Sequence, residues 1–221
     1  MGDCSNTNKD ERTACHKGGR REVRREERRE AILDVAERSF YEHGYAGTTM
    51  SAIASRLGGS KGTLWSYFPS KDVLFAAVLD RATRLFREEM AVTLNPNGNV
   101  PEAIGKFAER FIAKTTSDDS IALQRLIVGE AGRFPEVGRI YFERGPGPSL
   151  DLLARFLAAA MERGVLRQED PLLAAQILVA LCNAPWQQRR LTGIAGRPSA
   201  QVIASDARTV VRLFLGAYAP E

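Results

Sequence analysis

Apolar residues recur along the chain at helical spacing, and the interruptions between them divide it into short amphipathic runs. Ile32, Val35, Ala36, Ser39 and Phe40 fall at i, i+3, i+4, i+7 and i+8, which is one face of a helix. Gly44 is a C-terminal stop for that helix and Tyr45 an apolar plug behind it. Ile53, Ala54 and Leu57 mark a second short helix, and Leu64 with Phe68 marks a third. Between these two lies Gly58-Gly59, and glycine takes positive φ without steric strain, as a tight turn between crossed helices requires. Thr48 or Thr49 can cap the second helix and Ser60 the third. The stretch Thr48 to Phe68 therefore reads as a helix-turn-helix.

After Pro69, Ser70 caps a fourth helix through Leu74 and Phe75 to about Thr93, with Asp72 in its first turn, where the helix dipole favours a carboxylate. Leu74, Ala77, Val78 and Arg81 form one line on it, with Phe75, Leu79, Leu85 and Phe86 around that line. A helix apolar on more than one face packs between two partners, so it is expected to connect an N-terminal bundle to the remainder. Asn95 to Pro101 is the clearest linker. Beyond it come stripes at Ile104 to Ile112, Ile121 to Ala131, a short piece from Pro135 to about Glu143, and Leu152 to Met161. Ser117 to Ser120 reads as a break, and Gly145-Pro146-Gly147-Pro148 as a hard stop with Ser149 as the following cap. Asp170-Pro171 opens a helix expected to reach Leu191, with Gln187, Gln188, Arg189 and Arg190 as its polar end. Ser199 opens a last helix carrying Val202, Ile203, Val210, Val211, Phe214 and Leu215. No segment alternates with period two, so the chain is predicted to be all-α. The expected organisation is an arm over residues 1–24, a helix-turn-helix domain over 25–72, and a connector with a C-terminal helical domain over 73–221.

Composition narrows the class. The arm has almost no apolar residue, and Arg20, Arg21, Arg24, Arg25, Arg28 and Arg29 alternate with Glu22, Glu26 and Glu27 at its end. Two readings are open for it: a solvated lead-in to the first helix, or a basic arm touching DNA. A formal charge of +4 mildly favours a polyanionic partner. Cys4, Cys15 and Cys182 are an odd, scattered set, which suggests a reducing cytoplasm. No apolar run reaches a membrane span and no signal-peptide pattern is visible. Only His16 and His43 are present, and there is no G-x-S-x-G, H-E-x-x-H, P-loop or dinucleotide fingerprint. No catalytic residue, metal site or cofactor is expected. A rival to DNA reading is a helical small-molecule-binding protein without specific DNA binding, but a carrier has no use for a surface Lys61-Gly62-Thr63.

Phe40, Gly44-Tyr45, Thr48-Thr49, Ile53-Ala54, Leu57-Gly58, Ser60 to Leu64, Tyr67-Phe68, Lys71 and Leu74 stand in an order that resembles the DNA-binding signature of the TetR family of bacterial transcriptional regulators. The resemblance is specific over about Arg28 to Leu79 and loose beyond Pro101, where Glu130 to Glu136 is similar to a segment of one group of these proteins. Trp65 stands where the family most often has Tyr, and Gly59 where Val or Ala is usual. The resemblance implies a ligand-responsive regulator, most simply a repressor, binding double-stranded operator DNA as a homodimer with the third helix in the major groove. Ser60, Lys61, Gly62 and Thr63 then form the exposed first turn, with Lys61 and Thr63 on bases and Trp65 and Tyr67 on phosphate or sugar. Thr49 and Lys71 would clamp the phosphate backbone. For Thr49 and Ser60 capping is the other role, and for Tyr67 core packing. In the C-terminal domain the resemblance implies an effector pocket, for which Phe107, Phe111, Gln124, Ile127, Glu130, Phe134 and Trp186 are the candidates, with Cys182 beside them. An apolar or aromatic effector would suit such a lining, and the last two helices would form the dimer surface.

Overall fold

Capping side chains and glycine or proline stops cut this chain into helices. The computed structural model describes residues 10–58 and 61–220, with the side chains of residues 10–20 and 61 outside that description. Among the described residues there are eleven α-helices and no strand, the all-α class expected. The chain divides into two compact units, one ending at Phe75 and one beginning at Ala76, three residues beyond the boundary expected at 72.

The first unit holds α1 (Asp10–Gly47), α2 (Met50–Arg56), α3 (Lys61–Tyr67) and the opening of α4 (Lys71–Thr93). Gly44, at φ 70° and ψ 178°, breaks the helical path of α1, so the predicted stop is real. The start of α1 differs from the expected onset at Arg25, because residues 10–24 of the expected arm are helical. Arg and Glu are good helix formers, and opposite charges stand three apart at Glu22/Arg25, Arg24/Glu27 and Glu26/Arg29, a signal that apolar periodicity does not register. Residues 1–9 lie outside the described residues. The buried core of this unit includes Ile32, Leu33, Ala36, Phe40, Tyr45, Ile53, Ala54, Leu64, Phe68, Leu74 and Phe75. Phe75 meets Phe40 edge-on at 4.9 Å and Tyr45 at 5.3 Å between ring centroids, a geometry that adds to plain area burial.

The second unit continues α4 and adds α5 (Val100–Thr115), α6 (Asp118–Glu130), α7 (Pro135–Arg144), α8 (Pro146–Glu162), α9 (Pro171–Asn183), α10 (Gln187–Leu191) and α11 (Ala200–Tyr218). Four expectations are corrected here. Ser117 is the N-cap of α6, accepting from the Ser120 N–H, where the sequence suggested only a break. The stop before α8 is Gly145 alone, since α8 begins at Pro146 and Ser149 donates back to the Gly145 carbonyl at 3.3 Å. Prolines in a first turn cost nothing, because those N–H groups have no helical partner. The expected helix from Leu172 to Leu191 is two helices, α9 and α10, separated at Ala184-Pro185-Trp186. Leu85, placed among the packing residues of α4, is exposed. Asn99, Asp170 and Ser199 cap α5, α9 and α11 through their side chains. The core draws Met90 from the end of α4 and Leu94 just beyond it, together with buried residues of α5, α8, α9 and α11, Phe107, Phe156, Leu178 and Phe214 among them.

Candidate nucleic-acid interface

The turn that presents α3 is built by short polar ties. The Thr49 hydroxyl accepts from the Ala52 N–H at 3.1 Å, so its capping role is realised while the residue stays exposed. Thr48 is buried, its hydroxyl 2.9 Å from the Ser39 carbonyl and 2.8 Å from that of Gly44. Arg56, at the end of α2, reaches back to α1, donating to Ser39 Oγ at 3.2 Å and Glu42 Oε2 at 3.0 Å, with His43 Nε2 at 2.9 Å. Gly58 takes φ +62°, the left-handed conformation that lets the chain leave α2 and turn into α3. Leu64 and Phe68 are buried behind α3, and the Arg29 guanidinium of α1 lies 5.8 Å from the Phe68 ring centroid.

The side chains of α3 that face away from this core differ in exposure. Gly62 is exposed, Thr63 and Tyr67 are half-buried, and Trp65 is 38% exposed. Ser66 is exposed too and donates to the Thr63 carbonyl at 2.7 Å. Ser60 and the Lys61 side chain lie outside the described residues. A glycine inside a seven-residue helix weakens it by about 1 kcal/mol against alanine, and on an exposed face its benefit is a closer backbone approach to whatever the helix meets. Lys71, expected to clamp the phosphate backbone, has partners within the unit. Its Nζ donates to the Tyr45 carbonyl at 2.8 Å and sits 4.0 Å from the Tyr45 ring centroid, a cation–π contact. The Tyr45 hydroxyl in turn donates to the Asp72 carboxylate. This tie between α4 and the residue behind Gly44 was not visible in the sequence, because its partners stand 26 and 27 positions apart.

The expected effector residues fall into separate settings. Phe107 is buried in the core and its ring stands 5.3 Å from that of Phe111, which is 6.1 Å from Phe86. Trp186 packs on the same core, donates its indole N–H to Asp206 Oδ2 at 2.7 Å and carries Arg189 at 5.6 Å from its ring. Ile127 is buried on α6, Glu130 half-buried at its end, and Phe134 half-buried under the Arg133 guanidinium at 5.3 Å. Gln124 stands out, because its Oε1 is buried with no hydrogen-bond partner among the described residues. Such an acceptor is expensive to leave unmade. Cys182 is buried, and burial pushes its thiol up to about 12, so it packs as a small neutral group. Burial likewise raises the Tyr141 phenol.

Arg190, expected at a polar helix end, is instead buried. It donates to the Thr116 carbonyl at 3.1 Å, the Ala195 carbonyl at 3.3 Å and Asp118 Oδ1 at 2.6 Å. Arg125 of α6 answers by donating to the Leu191 and Arg190 carbonyls, each at 3.0 Å. An arginine in a run of polar residues gives no sequence signal of such a role. Among the described residues no group of His, Cys, Asp and Glu could hold a metal ion, and no helix is long and apolar enough to cross a membrane.

A capped helix-turn-helix with a glycine-bearing outward helix, followed by a larger helical unit, defines a DNA-reading transcriptional regulator with an appended regulatory domain. Comparison with known proteins gives the family. Residues 32–78 match the model of bacterial regulatory proteins of the tetR family, and residues 102–220 match that of the AefR-like transcriptional repressor C-terminal domain. The chain belongs to the TetR family of bacterial regulatory proteins. Among solved structures it is similar to a TetR-family transcriptional regulator from Mesorhizobium loti MAFF303099, at 26% identity and TM-score 0.75 over 86% of this chain and 96% of that one. It is also similar to the Flavonoid-responsive Regulator FrrA, at 30% identity and TM-score 0.74 over 87% and 97%. The A-factor receptor protein of Streptomyces griseus is 28% identical over 154 residues, 68% of this chain. The chain spans only half the length of that curated relative.

Proposed function

We propose that the chain is a repressor that binds a palindromic operator as a homodimer, with α3 of each protomer in the major groove, and that a small apolar or aromatic effector releases it. The observation that carries this reading is α3 itself: Leu64 and Phe68 anchor it from behind while Gly62 and Trp65 stand exposed. Lys61 and Thr63 read bases, with Ser60 beside them, and Trp65, Tyr67 and Thr49 meet phosphate or sugar. Lys71 acts by holding Tyr45 and the start of α4 in place. The dimer forms through α9 and α11, where Leu172, Leu173, Ile177, Val202 and Leu213 are exposed apolar residues that a two-fold contact would cover. The protein works in the cytoplasm, where operator DNA is.

The effector is bound among the helices that carry Phe107, Phe111, Gln124, Ile127, Glu130, Phe134 and Trp186. An aromatic ligand is supported by the Phe86–Phe111–Phe107 ring series and by the name of the flavonoid-responsive relative. A gel-shift assay with the promoter region beside the protein's own gene tests the whole reading. Retardation at low salt, its loss in Lys61→Ala, and its reversal by an added flavonoid are the expected results. If the wild-type protein retards no fragment at low salt, the chain is a helical ligand-binding protein without specific DNA binding.

A further inference from the structure

The extension of α1 carries a charge pattern that DNA reading by α3 leaves unused. Residues 21–30 lie on one continuous helix, so their side chains are spread around its axis at about 100° per residue. Arg21, Arg24, Arg25 and Arg28 then share an arc of about 100°, while Glu22, Glu26, Glu27 and Glu30 fall outside it. Arg29, next to the arc, is taken up by Glu26 and Glu30 at 3.5 and 3.4 Å. The four arginines of the arc form no ion pair with another described residue. Arg21, Arg24 and Arg25 are exposed and Arg28 is half-buried.

An unpaired guanidinium stripe is a surface for polyanions, since Arg presents its donors in a fork that matches phosphate oxygens. Its position names the polyanion. Arg29, one residue past the end of the stripe, stacks its guanidinium on Phe68, the residue that directly follows α3. One end of the stripe therefore lies close to the C-terminal end of the outward helix, and from there it extends toward the N-terminus of α1 for about 10 Å, or about three phosphates of one DNA strand. We propose that Arg21, Arg24, Arg25 and Arg28 form a second DNA-contact surface that holds backbone phosphates flanking the bases read by α3. It rests on the DNA-reading function proposed above and adds affinity without sequence preference, because phosphates are the same at every base pair.

The test is the salt dependence of binding. Affinity of the wild-type protein and of Arg24→Gln/Arg25→Gln/Arg28→Gln for a duplex from the promoter region beside the protein's own gene is measured by fluorescence anisotropy from about 50 to 200 mM salt, with a scrambled duplex alongside. Glutamine keeps the helix propensity of arginine, and circular dichroism verifies that the variant is folded. The expected result is at least a roughly ten-fold loss of affinity for both duplexes and a log–log slope shallower by about 0.9 for each phosphate contact removed. The corresponding Arg→Lys variant, which keeps the charges, recovers most of the slope. An unchanged slope in the glutamine variant overturns the stripe, whether affinity is unchanged or lower, because a purely structural defect does not alter counterion release. Wild-type protein that binds no DNA would overturn the regulator reading itself, and the stripe with it.

Discussion

The two units of this protein use polar groups in opposite ways. In the first, a small aromatic cluster of Phe40, Tyr45 and Phe75 is accompanied by polar ties between described residues: Thr48 on the Ser39 and Gly44 carbonyls, Arg56 on Ser39 and Glu42, Lys71 and Asp72 on Tyr45. In the second, a broad apolar core does most of the work, with one buried cation, Arg190, and one orphaned acceptor, Gln124 Oε1, among the described residues. A reading head needs one geometry, and directional bonds specify it. A domain that receives a ligand benefits from polar capacity that the ligand itself completes. The difference is testable, since polar deletions should loosen the first unit and one of them should leave the second intact.

The largest effect is expected where the first unit has least redundancy. Phe40 is fully buried against Phe75 and Tyr45, and Phe40→Ala should cost about 3–5 kcal/mol. In urea titrations followed by circular dichroism, a loss of that size should appear together with loss of operator retardation. A loss below about 1 kcal/mol would show that the aromatic cluster is not what holds the turn.

Arg190 comes next. Arg190→Met fills similar space but strips the donors from the Thr116 and Ala195 carbonyls, at a cost of about 2–3 kcal/mol. Its carboxylate partner Asp118 has a side chain 84% exposed against 9% for Arg190. Asp118→Asn should therefore cost less than about 1 kcal/mol. Equal losses in the two variants would mean that the ion pair, not the carbonyl contacts, carries the stabilisation.

Tyr45→Phe removes the hydroxyl that donates to Asp72 and should cost about 1–2 kcal/mol. Lys71→Met should weaken operator binding while leaving its salt slope unchanged, because the ammonium is spent on Tyr45. A slope shallower by about 0.9 per protomer would instead make Lys71 a phosphate contact.

Much of this is legible in the sequence. The turn at Gly58, the cap at Thr49, the stop at Gly44 and the helix starts at Asp170 and Ser199 follow from local chemistry, and each is where that chemistry puts it. The structure departs from sequence expectation where local signals are ambiguous: Pro146 and Pro148 open a helix as readily as they block one, and the Arg–Glu run of α1 has no apolar period to mark it. The engagement of Lys71, the burial of Arg190 and the pairing of Trp186 with Asp206 depend on residues brought together from afar. No local pattern encodes them.

The smallest stability change is the most informative about the second unit. Gln124 Oε1 is buried without a partner, so Gln124→Leu removes a desolvated acceptor and keeps the bulk of the side chain. Replacing an unpaired polar atom by an apolar group is neutral or favourable, and the urea midpoint should stay put or rise by up to about 1 kcal/mol. Operator affinity should not change, because α3 is untouched. Release by an effector should become at least about ten-fold less sensitive if a ligand donor completes the Gln124 oxygen, since a ligand donor left unpaired in a buried site loses that much binding. A clear loss of stability would mean that the oxygen is satisfied in solution by an ordered water. The second unit would then be as fully bonded as the first, and the contrast between them would be one of size alone.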